Sequence, residues 1–193
     1  MKKKKLLQGQ YAIEENVEYV LRDKNGNIKP LFQPNKLFAW LIKKGIVSPH
    51  FPKIPFFCGN WAMAMNVRNL ITNAGFAGVA SRLNGAGSEA AFTYIALGTG
   101  TTAANVADTA LETEIATGGG SRANATASRV TIVVTNDTAQ LQHTFNFTGT
   151  FAVTESGILN AASSGVLLAR QVFSAVNVVS GDSLQVTWKV QAS

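Results

Sequence analysis

The chain predicts a mainly β protein: an antiparallel β-sandwich of immunoglobulin-like or jelly-roll-like form, with one or two short helices and an extended N-terminal arm. Three observations predict it. Beyond residue 122, apolar and polar residues alternate with the period of a half-buried strand. These runs are about ten residues long and are separated by small-residue or Asn/Asp/Gly turns, the punctuation of a sandwich. A hydrophobic fraction of 46% supplies a core, while only 15% of residues are charged, against roughly 25% in ordinary soluble domains. A surface so lightly charged suits a protein that lies against other subunits.

The C-terminal strands are read from their alternation. Residues 122–135 form a β-branched run that Asn136 and Asp137 turn. Leu141, His143, Phe145 and Phe147 share one face of the next strand, and Gly149 breaks it. Phe151, Val153, Glu155 and Gly157 begin another. Residues 161–165 turn into a strand over 166–176, and residues 177–182 turn again. Leu184, Val186, Trp188 and Val190 then share a face.

Upstream, Tyr11, Ile13, Val17, Tyr19 and Leu21 lie at odd positions, a strand pattern. Asn25-Gly26 is a favoured hairpin turn because both residues tolerate positive φ, and residues 28–32 are its return. Asn35 is suited to cap a helix carrying Leu37, Phe38, Leu41 and Ile42, which Gly45 stops. Phe76, Val79, Ala80 and Leu83 recur at helical spacing, predicting a helix over 73–83, with Thr72 or Asn73 as cap and Asn84-Gly85 as its end. Residues 92–97 read as a strand, and residues 98–108 as a loop of small residues.

Between these helices the chain changes character. Pro49, Pro52 and Pro55 alternate with Phe51, Phe56 and Phe57, followed by Trp61. Prolines at this spacing disfavour helix and central strand, while the aromatics argue against a solvated linker. The segment is expected to lie extended along a surface. The basic charge is also N-terminal: residues 1–53 hold eleven Lys or Arg against four acids, and residues 54–193 hold six against seven. The expected organisation is an anchoring arm over 1–65 and a β-sandwich domain over 66–193. Partner-binding residues are assigned to Lys2, Lys3, Lys4 and Lys5 and to Phe51, Phe56, Phe57 and Trp61. Lys2–Lys5 lack the interleaved aromatics of a nucleic-acid groove, so nucleic acid is not the expected partner.

Enzymatic constellations are not evident. His50 and His143 are lone histidines, Cys58 is the single cysteine, and their spacing fits no zinc site. The loop Gly98-Thr99-Gly100-Thr101-Thr102 lacks the lysine of a phosphate-binding P-loop. No catalytic residue, cofactor or metal ligand is assigned, and no small-molecule substrate. No apolar run reaches a membrane-spanning length.

Several segments, in order, carry a family resemblance: Asn69-Leu70-Ile71-Thr72-Asn73-Ala74-Gly75, Tyr94-Ile95-Ala96-Leu97-Gly98-Thr99-Gly100-Thr101-Thr102, and Asp108-Thr109-Ala110-Leu111 with Glu114. Thr154-Glu155-Ser156-Gly157-Ile158, Leu167-Leu168-Ala169-Arg170 and Asp182-Ser183-Leu184-Gln185-Val186-Thr187-Trp188 follow. Over about residues 69–193 the chain resembles small virion structural proteins of tailed bacteriophages, of head-fibre, decoration or tail-fibre type. The resemblance implies a non-enzymatic component of the virion, assembled in the bacterial cytoplasm and present in several copies. Its partners would be capsid, neck or tail proteins and copies of itself. Head decoration or a head fibre is the leading expectation. A tail, neck or baseplate fibre or adaptor is the alternative, as is a host-glycan-binding module, for which Trp188 is the C-terminal aromatic to consider.

Overall fold

The computed structural model describes residues 13–192. In chain order the elements are β1 (Ile13–Arg22), β2 (Ile28–Lys29), β3 (Leu31–Pro34), α1 (Lys36–Lys43), β4 (Gly59–Ala62), β5 (Met65–Val67) and β6 (Leu70–Ile71). They continue with α2 (Asn73–Asn84), β7 (Tyr94–Gly98), β8 (Ala123–Asn124), β9 (Thr126–Val130), β10 (Thr138–Asn146), β11 (Phe151–Leu159), β12 (Leu167–Val178) and β13 (Ser183–Ala192). The protein is mainly β, an antiparallel sandwich with two short helices.

One sheet runs β2-β1-β13-β10-β9, with β5 also pairing β1; the other runs β6-β12-β11-β7-β8. Their facing sides make the main core. Val17, Tyr19 and Leu21 of β1 meet Phe145, Leu184, Val186 and Trp188 from the same sheet, and Leu97, Val153, Phe173 and Val178 from the other. Tyr19 crosses the gap completely. Its ring packs on Phe173 at 4.3 Å, and its hydroxyl is 2.6 Å from the Ser156 hydroxyl. That bond satisfies a phenol which would otherwise be orphaned in an apolar interior.

Neither long side of the sandwich is left as a pair of free edges. Residues 65–71 leave β1 in one sheet as β5 and join β12 in the other as β6. On the far side, residues 123–130 leave β7 as β8 and join β10 as β9. Two short crossing strands thus close both flanks, which limits the edge-to-edge pairing that open sheets invite.

The second sheet is buried on both faces, and β12 is buried at every position but Asn177. Its outer face carries two covers. One is α1 with the β3–β4 ribbon, where Phe32, Ile42, Phe51 and Cys58 pack on Val172. The other is α2 with the loop over residues 98–115. Thr72 caps α2 by accepting from the Gly75 N–H, while its own hydroxyl donates to the Leu167 carbonyl at 2.6 Å. A Cβ on Gly75 would lie 2.1 Å from the Leu168 carbonyl oxygen, so glycine is what lets this helix sit down on the strand.

Three expectations are corrected. The expected arm over 1–65 is not separate in its described part, residues 13–65, because β1 pairs with β13 over its whole length, from Ile13↔Ala192 to Arg22↔Ser183, and Val17, Tyr19 and Leu21 enter the core. The N- and C-terminal strands are therefore one structural unit. Residues 122–135 are not one strand either. Pairing stops at Val130, and Ile132, Val133 and Val134 are exposed in a loop. The Asp137 carboxylate accepts the backbone N–H groups of all three, replacing ladder bonds with side-chain bonds. Finally, residues 28–32 are broken at Pro30 into β2 and β3.

Because β1 is interior, a chain beginning after Arg22 is expected to lose the cooperative thermal transition of the full chain, whereas Arg22→Ala at the strand end retains it. Circular dichroism melts compare the two.

Candidate functional site: an aromatic tip and a sealed ionic cluster

Charged side chains collect on the outer face of the second sheet. Arg170 of β12 and Glu155 of β11 project from the same side. Arg170 Nε donates to Glu155 Oε2 at 2.8 Å, and both side chains are sealed from solvent. The remaining Arg170 donors reach the loop above: Nη1 to Asp108 at 2.8 Å and Nη2 to the Thr102 carbonyl at 3.1 Å. Glu112 lies 3.6 Å from Nη2. Glu155 in turn accepts the N–H groups of Gly100, Glu112 and Thr113. Burial alone would lower the Arg170 pKa, but the hydrogen bonds and charges of Asp108 and Glu155 outweigh it and hold the guanidinium above its ordinary value.

The loop's composition follows from this geometry. A Cβ on Gly98 or Gly100 would fall within 2.5 Å of Glu155 Oε1, so both small residues make room for the carboxylate. Glu112 closes the same loop by accepting from the Thr102 hydroxyl at 2.6 Å and the Thr102 N–H at 2.7 Å. A second clamp lies nearby in the chain: Arg122 forms a two-point bond with Glu114, and its Nη1 holds the carbonyls of Ala161 and Ser164. Every acid of this cluster is engaged, by a guanidinium, by backbone N–H groups or by a hydroxyl. The arrangement is a clamp; it presents no free base to a substrate. Among the described residues no group of three His, Cys, Asp or Glu side chains is placed to hold a metal.

The assigned partner-binding aromatics part company. Phe51 is buried, stacked on Phe38 at 5.4 Å and edge-on to Phe32 at 5.8 Å; it holds the N-terminal layer to its own sheet, which corrects its assignment as a docking residue. Phe56, Phe57 and Trp61 are 93%, 68% and 54% exposed. Phe57 leans its edge on Phe38, and Trp61 on Phe32, so two of the three rings rest on a fixed base. Ile54 and Met63 are exposed in the same stretch. Lys2–Lys5 lie outside the described residues.

The tip is rigidly built. Asn35 caps α1 through the Phe38 N–H, and its amide donates to the Phe57 carbonyl at 2.9 Å. The Asn35 N–H also donates to the Cys58 carbonyl, and the Phe56 N–H donates to the Gly59 carbonyl. Phe56 sits at φ 65°, a left-handed conformation that disfavours a residue with a Cβ. A strained, almost fully exposed aromatic is the kind of outlier that marks a working surface. Around it the sequence is one-signed: residues 24–88 contain eight Lys or Arg and no Asp or Glu. Trp188, by contrast, is wholly buried in the core and offers no surface to a sugar.

The sequence marks the aromatics Phe56, Phe57 and Trp61 but not the clamp, whose acids are scattered along the chain. Strict alternation would also put Glu155 on the same face as Val153. A register shift between them turns Val153 into the core and Glu155 outward. No protein-family model matches this chain, and no curated protein or solved structure matches it either.

Arg170→Met leaves the buried Glu155 carboxylate without its counter-charge and is expected to cost about 3–5 kcal/mol in urea unfolding. Acid should act in the same direction. The Thr102 hydroxyl holds the Glu112 carboxyl below its ordinary value of 4.5, and the Val134 N–H leads several donors that do the same for Asp137. The unfolded chain then takes up protons that the folded chain refuses, so stability is fully present above the ordinary carboxylate range. It falls as pH drops below that range. A urea midpoint that stays level down to about pH 3 would contradict this.

Proposed function

We propose that the chain is a non-enzymatic structural protein of a bacteriophage particle, an accessory component that docks on a neighbouring virion protein through the aromatic tip at Phe56, Phe57 and Trp61. The observation that carries this reading is the tip itself. Three large rings are presented to solvent, two on a braced loop and Trp61 on the strand β4 that follows it, within a sequence span of eight cations and no acids. Clustered exposed aromatics mark protein interfaces, and the one-signed surroundings favour an acidic partner surface.

Two further points support it. The segments that carry the resemblance to phage virion proteins supply the parts of the ionic clamp: Gly100 and Thr102, Asp108, Glu155 and Arg170. On this reading those residues serve the body, and attachment falls to the surface outside them. The acids of the clamp, Asp108, Glu112, Glu114 and Glu155, are also taken up by internal bonds, which suits a scaffold. Lattice decoration of the head is the preferred placement, since a basic N-terminal region suits an acidic capsid surface, and copy number per particle separates it from a neck, tail or baseplate position.

The test is Phe56→Asp combined with Trp61→Asp in the phage genome. The double variant is expected to keep the parent's melting temperature, because both rings are largely outside the core, while its amount per purified particle falls about tenfold or more. Full incorporation of a folded double variant would overturn the reading.

A further inference from the structure

A second surface has chemistry of its own. Where the chain crosses from β5 to β6 it borders a cleft of about 770 Å³. Lys43 at the end of α1, Arg68 in the crossing and Lys189 of β13 contribute to its wall, and no carboxylate among the described residues does. Asp137 is bonded to two residues of the wall, accepting from the Gln191 amide and from the Ile132 N–H. It is otherwise occupied by the N–H groups of Val133 and Val134 and by the Thr138 hydroxyl.

Asn69 also lines this cleft. It is only 8% exposed, yet neither its amide nitrogen nor its carbonyl oxygen has a hydrogen-bond partner. Buried carboxamides are nearly always paired, because leaving both ends unmade is costly. The natural complement to a carboxamide is a peptide unit, which offers an acceptor and a donor side by side. Phe76 and Ile132, each 52% exposed, add apolar surface to the same wall. A single inorganic anion would leave most of this volume empty. Among the described residues Phe76 is the wall's one aromatic, short of the stacking platform that a single-stranded nucleic acid uses.

We infer that this cleft binds an acidic, partly apolar peptide segment of another protein. Its carboxylates would meet Arg68 and Lys189, its main chain the Asn69 amide, and its apolar side chains Phe76 and Ile132. The inference stands apart from the aromatic tip and from the virion reading, since none of the tip residues lines the cleft.

The experiment uses the full chain and a fluorescein-labelled peptide of alternating Glu and Leu, with its Gln/Leu counterpart as control, read by fluorescence anisotropy. The Glu/Leu peptide should bind saturably and about tenfold more tightly than the control. Arg68→Glu with Lys189→Glu should weaken it by about tenfold or more, with Arg68→Gln as the milder variant should the double change fail to fold. Asn69→Leu gives the sharper signature: removing the unpaired amide should leave thermal stability equal or higher while weakening the peptide. Equal affinity for the Gln/Leu control, indifference to the Arg68 and Lys189 changes, complete displacement by inorganic phosphate, or tighter binding of a single-stranded oligonucleotide would each overturn the inference.

Discussion

The buried pair of Arg170 and Glu155 is the constraint on which the second sheet depends. Two charges stand on a strand face that otherwise carries Ala96, Leu159 and Leu167, where an unpaired ion would be heavily penalised. The fold resolves this by bringing a whole loop down on them. Residues 98–115 have little regular structure, yet they are ordered because their N–H groups and acids complete the ion pair's shell. The same loop delivers Leu111 to cover the apolar residues beside the pair. Removing the charges would therefore release a layer, well beyond the loss of a single bond.

With that cover on one part of the outer face, and α1 with the β3–β4 ribbon on another, the sandwich has little bare sheet to offer. Its flanks are closed by the crossing strands at residues 65–71 and 123–130. What remains for function is at the periphery. The aromatic tip projects from a ribbon whose inner residues, Phe32 and Phe51, are firmly packed. The cleft lies at the crossing itself, where the chain changes sheets and its ladder is interrupted. A rigid body with its interactive groups displaced to braced loops is the arrangement expected of a docking protein.

Much of this was legible in the sequence where the cause is local. Asn35 and Thr72 cap the two helices as their side chains predict, Gly85 ends the second in a left-handed turn, and Gly26 turns the first hairpin. The alternation of β10 and β13 marks their buried faces correctly, and it places Trp188 inside. Non-local causes were not legible. Nothing near Tyr19 announces that it pairs beside Val186 in the last strand, so the N-terminal strand reads as part of an arm. Ile132, Val133 and Val134 read as strand because β-branched residues usually do, and only the Asp137 carboxylate, collecting their N–H groups, diverts them. The clamp was hidden because Arg170 and its acids are brought together by strand pairing and a register shift, which spacing along the chain does not encode.

We propose that the protein docks through the tip and the basic stretch around it, while the clamp serves the fold. Lysine crosslinking of intact phage particles, followed by mass spectrometry, tests it most directly. Crosslinks to a neighbouring virion protein are predicted to concentrate at the exposed Lys36 and Lys44 of the α1 region, beside the aromatic tip. Intact particles in which those lysines crosslink to no neighbour, while Lys24 or Lys29 at the first hairpin does, would contradict it.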